Sequence, residues 1–193
     1  LWLRKVSGGE PVHVTAALDR PVGGFEWAKD GKSLHVVYGD VGLTKVASIP
    51  VSSGAAKTIV PAIGGTRLYL PSSGGDWSMG GDVHAFTTVE ADRPAALGVM
   101  KAGKLIGKID FNEKWRADKT IGAMERLTWK APDGLSIEGW LQYPPNFDPA
   151  KKYPVALEIH GGPNGDYGPY FSITHQLYAA AGYVVLYSNP RGS

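Results

Sequence analysis

The 193-residue sequence contains no cysteine. Without thiols there can be no disulfide framework, no cysteine nucleophile and no thiolate metal site, but this absence leaves the compartment open between cytoplasm, periplasm and cell exterior. Long apolar runs are missing as well, because the longest, residues 177–186, has about half the length that a membrane-spanning helix needs. The formal net charge of +2 is too small to indicate a nucleic-acid or membrane partner.

The sequence also lacks an initial methionine and a recognisable secretory signal. Leu1-Trp2-Leu3 has the apolar pattern of a strand interior. We therefore expect this chain to be a fragment whose parent protein continues on the N-terminal side.

Short alternating apolar runs between glycine-rich turns predict an all-β region over residues 1–122. The sharpest pattern covers residues 27–34, where Asp30-Gly31 separates two strands as in a tight hairpin. The predicted strands of this region are 1–6, 12–16, 24–27, 33–38, 44–49, 57–60, 66–70, 83–89, 95–100 and 104–111.

Residues 123–193 show a different pattern. A predicted hairpin pairs residues 125–130 with 136–143 across Pro132-Asp133-Gly134. It is followed by a short apolar strand at 153–159, a glycine-rich turn, a helix at 171–181 and a second apolar strand at 183–187. Strand, turn, helix and strand in this order are typical of a parallel βαβ unit.

Three blocks of the second region form a specific signature: His160-Gly161-Gly162-Pro163, then Gln176-Leu177-Tyr178-Ala179-Ala180-Ala181-Gly182-Tyr183, then Asn189-Pro190-Arg191-Gly192-Ser193. Together they resemble the serine peptidases of the prolyl oligopeptidase family, nearest to its acylaminoacyl-peptidase branch. Residues 27–34 are similar to a turn that recurs in the propeller blades of such enzymes. The resemblance implies a mixed fold. Residues 1–122 would form the C-terminal blades of a partial, all-β β-propeller. Residues 123–193 would form the N-terminal half of an α/β-hydrolase domain, which is truncated before its nucleophile elbow.

The same resemblance assigns an oxyanion-hole role to the glycine turn. Gly162 would offer its backbone N–H to the carbonyl oxygen on which charge develops, and His160, Gly161 and Pro163 would shape the turn. The prolyl oligopeptidase and dipeptidyl peptidase branches carry tyrosine at the position of His160, so its role is open between the oxyanion site and orientation of the turn. Arg191 is a candidate both for fixing its own loop and for the rim of the active site.

The catalytic triad is expected to lie outside this chain, since serine, acid and histidine would all follow Ser193 in the order of the family. Ser193 itself lacks the glycine spacing of a nucleophile elbow. Ser78, with Asp82 and His84 close by, suggests a substitute triad, but one residue too many separates Ser78 from the preceding glycine. A loop with solvated polar residues is the better interpretation of that stretch.

The remaining histidines do not indicate a metal centre. We interpret His175 as a packed residue of the predicted helix. His13, His35 and His84 are scattered through predicted strands without carboxylates at ligand spacing, so no metal site is predicted.

The sequence thus predicts part of a serine peptidase that hydrolyses short peptides, or acylated or unblocked N-terminal residues, through an acyl-enzyme and without a cofactor. The fragment itself is expected to be inactive because it lacks the triad. Its expected partner is a peptide substrate, with no nucleic acid or membrane, and its oligomeric state stays open. Two alternatives remain, an esterase or lipase-type α/β-hydrolase and a non-catalytic propeller binding module. A Gly-x-Ser-x-Gly motif downstream of Ser193 would favour the peptidase.

Overall fold

The computed structural model describes residues 1–64, 75–161 and 165–193. Strands dominate, with 43% of the chain in β-structure and 8% in helix. Within the described residues, the strands form a two-stranded ribbon and three four-stranded sheets, which we number 1 to 3 in chain order. The antiparallel ribbon consists of β1 (Trp2–Leu3) and β2 (Val12–His13), and a short 3-10 helix (Ala16–Leu18) follows it.

Sheet 1 pairs four consecutive strands in chain order, and every pair is antiparallel. Its second strand shows how the sequence forms a core face, because Leu34, Val36 and Tyr38 are buried and alternate with less buried residues. The strands are β3 (Val22–Trp27), β4 (Ser33–Asp40), β5 (Leu43–Pro50) and β6 (Lys57–Ile63). The predicted hairpin across Asp30-Gly31 is confirmed as the turn between β3 and β4.

Sheet 2 is a second antiparallel sheet, with strand order β10-β9-β8-β7. Phe86 and Met100 of this sheet share a buried cluster with Val46, Val60 and Ile63 of sheet 1, so one apolar core joins the two sheets. The strands are β7 (Trp77–Gly80), β8 (Val83–Thr87), β9 (Leu97–Lys101) and β10 (Lys104–Ile109), followed by a one-turn helix, α1 (Glu113–Arg116).

Sheet 3 has the strand order β11-β12-β14-β13. Its central strand β14 is antiparallel to β12 and parallel to β13, and helix α2 connects β13 to β14. Trp140, Tyr167, Val185 and Tyr187 form its core. The elements are β11 (Met124–Lys130), β12 (Ser136–Gln142), β13 (Val155–Glu158), α2 (Ile173–Ala180) and β14 (Val184–Asn189).

The predicted mixed fold class is wrong. The chain is nearly all β, its sheets are mainly antiparallel, and neither a closed propeller nor an α/β-hydrolase half is seen in the described residues. The predicted strand–helix–strand unit is present, but it gives one parallel pair, β13 with β14. The neighbouring β11 and β12 form an antiparallel hairpin because the turn at Gly134, with φ of +86°, reverses the chain.

The segment around Ser78 differs from its predicted structure. The stretch 75–80 was expected to be a loop, but it contains strand β7, in which Trp77 and Met79 are half-buried and Ser78 is exposed. The strand predicted at 66–70 lies outside the described residues.

The outer face of β13 generates a prediction about association. Val155, Leu157 and Ile159 are 61%, 60% and 73% exposed, and β13 lies at the edge of sheet 3. Apolar side chains beside an open strand edge promote pairing between chains. We therefore expect the isolated chain to self-associate, and Leu157→Lys to reduce this association.

Size-exclusion chromatography with light scattering measures the effect. The matched control is Leu177→Lys, which changes a leucine of similar exposure (66%) on α2, where no strand edge is present. A monodisperse monomer of the parent chain at all concentrations tested would contradict the prediction.

Candidate active site

The turn that follows β13 begins with His160 and Gly161. Alternation along the strand turns Glu158 and His160 toward the protein, whereas Leu157 and Ile159 are exposed. His160 Nδ1 lies 3.0 Å from the carbonyl oxygen of Gly161, and its Nε2 lies 2.9 Å from Ser193 Oγ. Because a carbonyl oxygen can only accept, a neutral His160 carries its proton on Nδ1, and Nε2 accepts the Ser193 hydroxyl. Contacts near the turn therefore occupy both ring nitrogens.

A pair formed by the buried His175 and the half-buried Glu158 lies next to this turn. The distance from His175 Nε2 to Glu158 Oε2 is 2.9 Å, and the His175 side chain is 3% exposed. Burial lowers the pKa of His175, and the negative charge of Glu158 acts in the opposite direction. Ser172 holds the histidine in place by capping α2, since its Oγ accepts the His175 backbone N–H at 3.3 Å.

Three tyrosines surround the pair. The rings of Tyr187 and Tyr167 lie 4.2 Å and 6.0 Å from the His175 ring, and the Tyr167 ring also packs edge-on against His160 with centroids 5.1 Å apart. Burial raises the pKa of Tyr167, Tyr170 and Tyr187, and the charge of Glu158 raises it further. The three phenols therefore stay protonated at neutral pH, and the surroundings of the pair are aromatic and poorly solvated.

Tyr167 is tied to the end of β14 through its backbone. Its N–H donates to Asn189 Oδ1 at 2.7 Å, and Asn189 Nδ2 donates to its carbonyl oxygen at 2.9 Å. Asn189 thus satisfies both backbone groups of a residue that is 4% exposed. These two hydrogen bonds connect β14 to Tyr167, whose ring packs against His160. The loop that carries Ser193 follows β14 directly.

Arg191 lies in the same loop, where its guanidinium pairs with the carboxylate of Asp133 in the β11–β12 turn. Both side chains are exposed, so the pair adds little stability. The contact fits the loop-fixing alternative for Arg191.

The substitute triad is not assembled. In the β7–β8 register Ser78 faces Ala85, whereas His84 faces Met79, so Ser78 and His84 project from opposite sides of the hairpin. Asp82 pairs instead with Lys101 at 3.5 Å.

The histidines of sheets 1 and 2 form an aromatic contact. His84 Nδ1 accepts the indole N–H of Trp77 at 3.3 Å, and the His35 ring lies 5.6 Å from the His84 ring. Across residues 1–64, 75–161 and 165–193, no group of three or more histidines and carboxylates is placed to hold a metal ion.

Gly162 and Pro163, assigned to the oxyanion turn by sequence, lie outside the described residues. Sequence reasoning did not identify Glu158, Tyr167 and Asn189 as parts of the site. For Glu158 a signal was present, because it lies two positions before His160 on a predicted strand and therefore on the same face. No local pattern indicated that Asn189 holds Tyr167, 22 residues away.

Several known proteins are similar to the chain in sequence. The chain is 32% identical over 191 residues to "Uncharacterized peptidase YuxL" of Bacillus subtilis, which covers 94% of this chain and 28% of that protein. It is 29% identical over 180 residues to dipeptidyl-peptidase 5 of Aspergillus fumigatus, covering 91% of this chain and 24% of the relative. No family model matches the chain.

Solved structures agree with these relatives. Pyrococcus horikoshii acylaminoacyl peptidase superposes with a TM-score of 0.75 at 25% identity, over 95% of this chain and 27% of that protein. Dipeptidyl peptidase 4 of Porphyromonas gingivalis shares the fold, with a TM-score of 0.69 at 18% identity.

Sequence and fold therefore both show that the chain is similar to part of known peptidases. The predicted resemblance is confirmed: the chain is similar to peptidases of the prolyl oligopeptidase family, among them acylaminoacyl and dipeptidyl peptidases. The chain spans about a quarter of the length of the relatives it matches. No helix of its described residues is long and apolar enough to cross a membrane.

The His175–Glu158 pair predicts a pH dependence of stability. The pKa of His175 in the folded chain lies below its ordinary value of about 6.5. The unfolded chain therefore binds more protons below that pH, and the free energy of unfolding falls as the pH drops through 6.5. We expect His175→Gln to lose less stability than the parent chain between pH 7 and pH 5.

Urea unfolding at several pH values measures the effect. A measurement at pH 8, where the histidine is neutral in both states, supplies the baseline for each chain. Equal pH slopes for both chains would show that His175 does not contribute.

Proposed function

We propose that this chain is part of a serine peptidase that hydrolyses short peptides, or acylated or unblocked N-terminal residues, through an acyl-enzyme. The observation that carries the proposal is the His160–Gly161 turn at the carboxyl end of β13, with His160 held by Ser193 and packed against Tyr167. The peptidase relatives support the same conclusion, since they match the chain over nearly its whole length.

Peptide hydrolysis by a serine requires hydrogen-bond donors at one position, next to the carbonyl oxygen that becomes negatively charged. Attack of a serine hydroxyl on a peptide carbonyl creates a tetrahedral intermediate whose oxygen carries negative charge. Backbone amides stabilise that charge best when they are fixed before the reaction and shielded from water. The contacts of His160 and the buried aromatic surroundings of Glu158 and His175 supply a fixed, poorly solvated support for such amides.

A two-part organisation, with residues 1–122 and 123–193 as separate domains, is part of the proposal. Its support is the junction at Gly122, whose N–H and carbonyl oxygen both bond to the Gln176 side chain of α2, at 2.9 Å and 3.3 Å. A Cβ on Gly122 would lie 2.0 Å from the carbonyl oxygen of Tyr143, so the junction requires glycine.

An esterase would use the same acyl-enzyme chemistry, and a binding module would hold peptides without cleaving them. An esterase would cleave acyl esters but not the matching amides, whereas a binding module would cleave neither. The peptidase relatives favour the first proposal over both.

We expect the 193-residue chain alone to be inactive, because it contains no Gly-x-Ser-x-Gly motif. The test is labelling by a fluorophosphonate probe, together with hydrolysis of acyl-aminoacyl and aminoacyl amides and esters. Ser193 is the serine to watch, since its hydroxyl donates to His160 as a nucleophile donates to its base. Stoichiometric labelling that is lost in Ser193→Ala would refute the expectation of inactivity and make Ser193 the nucleophile.

The oxyanion role of Gly162 is proposed from the sequence pattern alone. In a peptidase of the relatives' length that carries this chain, Gly162→Val should lower kcat by about 10²–10³, the usual loss of one oxyanion donor. KM should change little, because the contact strengthens only as charge develops. His160→Ala should lower kcat less if His160 only orients the turn. A folded Gly162→Val enzyme with parental kcat would rule out the role.

A further inference from the structure

We propose that residues 165–171 are the positioning element of the candidate active site, through which sheets 1 and 2 set the place of the His160–Gly161 turn. The segment lies between the turn and helix α2 in sequence. Its catalytic meaning rests on the proposed peptidase function, whereas its mechanical role does not.

The first anchor is a backbone contact between Gly168 and Gly42, which lies in the turn between β4 and β5 of sheet 1. A Cβ built on Gly168 would lie 1.9 Å from the carbonyl oxygen of Gly42, and one built on Gly42 would lie 2.2 Å from that of Tyr167. Real Cβ contacts stay above 3.0 Å, so a single methyl group must separate the two backbones by at least about 1 Å. The atoms that come within 3.0 Å are backbone atoms on both sides, so rotation of a side chain would not relieve the clash.

The second anchor fixes the other end of the segment to the loop between β8 and β9 of sheet 2 and to helix α1. The Phe171 N–H donates to the carbonyl oxygen of Glu90 at 2.9 Å, and the Phe171 ring packs edge-on against Trp115. The Glu90 carboxylate is held by Arg93 at 2.9 Å and by Lys108. Phe171 is 5% exposed, so this end of the segment is buried as well as bonded.

The third contact is made by Tyr167, the residue of the segment that packs against His160. Asn189 clips Tyr167 to β14, and the Tyr167 ring packs against His160. Pro169, with its fixed φ, leaves the segment little freedom to absorb a displacement at the adjacent Gly168. A shift at Gly168 therefore passes through Tyr167 to the ring of His160.

The test compares Gly168→Ala with Gly39→Ala in the 193-residue chain. Gly39 is the matched control because it lies in β4, three residues before Gly42, and a Cβ there meets no atom within 4 Å. Nitrogen-15 NMR of the histidine rings at neutral pH reports the Nδ1 and Nε2 shifts of His160, and circular dichroism reports folding. Gly168→Ala should change both shifts as the Ser193 contact is lost, and Gly39→Ala should leave them unchanged. A folded Gly168→Ala chain with parental His160 shifts would overturn the proposal.

A second pair of variants covers the case in which Gly168→Ala does not fold. Asn189→Ala removes both bonds to Tyr167, whereas Asn189→Asp keeps the acceptor for the Tyr167 N–H. The His160 shifts should change fully in the first variant and partly in the second. Parental shifts in both variants would overturn the proposal.

A kinetic measurement separates this inference from the proposed function. In a peptidase of the relatives' length that carries this chain, Gly168→Ala should lower kcat by about 10²-fold, the cost of a displacement near 1 Å, with KM little changed. Changed His160 shifts with parental kcat would support the positioning role and refute the catalytic role of the turn. Unchanged shifts would refute the positioning role whatever the kinetics.

Discussion

The pairing of β14 on both of its sides is the constraint on which the candidate site depends. Because β14 is bonded to β12 and to β13, it cannot change register without breaking two ladders. Its buried Tyr187 stacks on Trp140, with ring centroids 5.6 Å apart, and this packing fixes the strand against the core. At the end of β14, Asn189 bonds to the backbone of Tyr167. In the loop that follows, Ser193 bonds to the ring of His160.

Placing the ionisable side chains of Glu158 and His175 near the His160–Gly161 turn lowers the stability of the folded chain under some conditions. Glu158 and His175 meet in poorly solvated surroundings, where an unpaired charge would be strongly destabilising. The same low solvation strengthens every dipole that acts on a developing charge. The arrangement therefore gives up some stability at low pH and gains an environment in which a few amides can have a large effect.

Local patterns in the sequence were sufficient for most individual elements. The Asp30-Gly31 hairpin and the strand–helix–strand unit around α2 were both predicted, because turn chemistry and hydrophobic periodicity are properties of neighbouring residues. Strand β7 was missed, since Gly75 and Gly80 gave its short sequence the appearance of a loop. The fold class was wrong because it was taken from the family resemblance, whereas the described residues of sheet 3 form mainly antiparallel pairs.

The contacts that assemble the site could not be read from the sequence. The local sequence around Gly42 and Gly168 does not indicate that their backbones are in contact. The same holds for the hydrogen bond between Asn189 and Tyr167. Such pairs depend on how three sheets come together, which periodicity does not describe. The alternation along β13 was the exception, since it already placed Glu158 and His160 on one face.

The contact between Gly42 and Gly168 also has a consequence for the order of folding. The two glycines are 126 positions apart (168 − 42), whereas sheets 1 and 2 are each built from strands consecutive in the chain. Short hairpins close within microseconds, but a contact across so long a loop requires the loss of far more chain entropy. During synthesis the two sheets can form while the later residues are still being added. We therefore expect residues 165–171 to dock after sheets 1 and 2 have formed, so that the site becomes ordered on an existing scaffold.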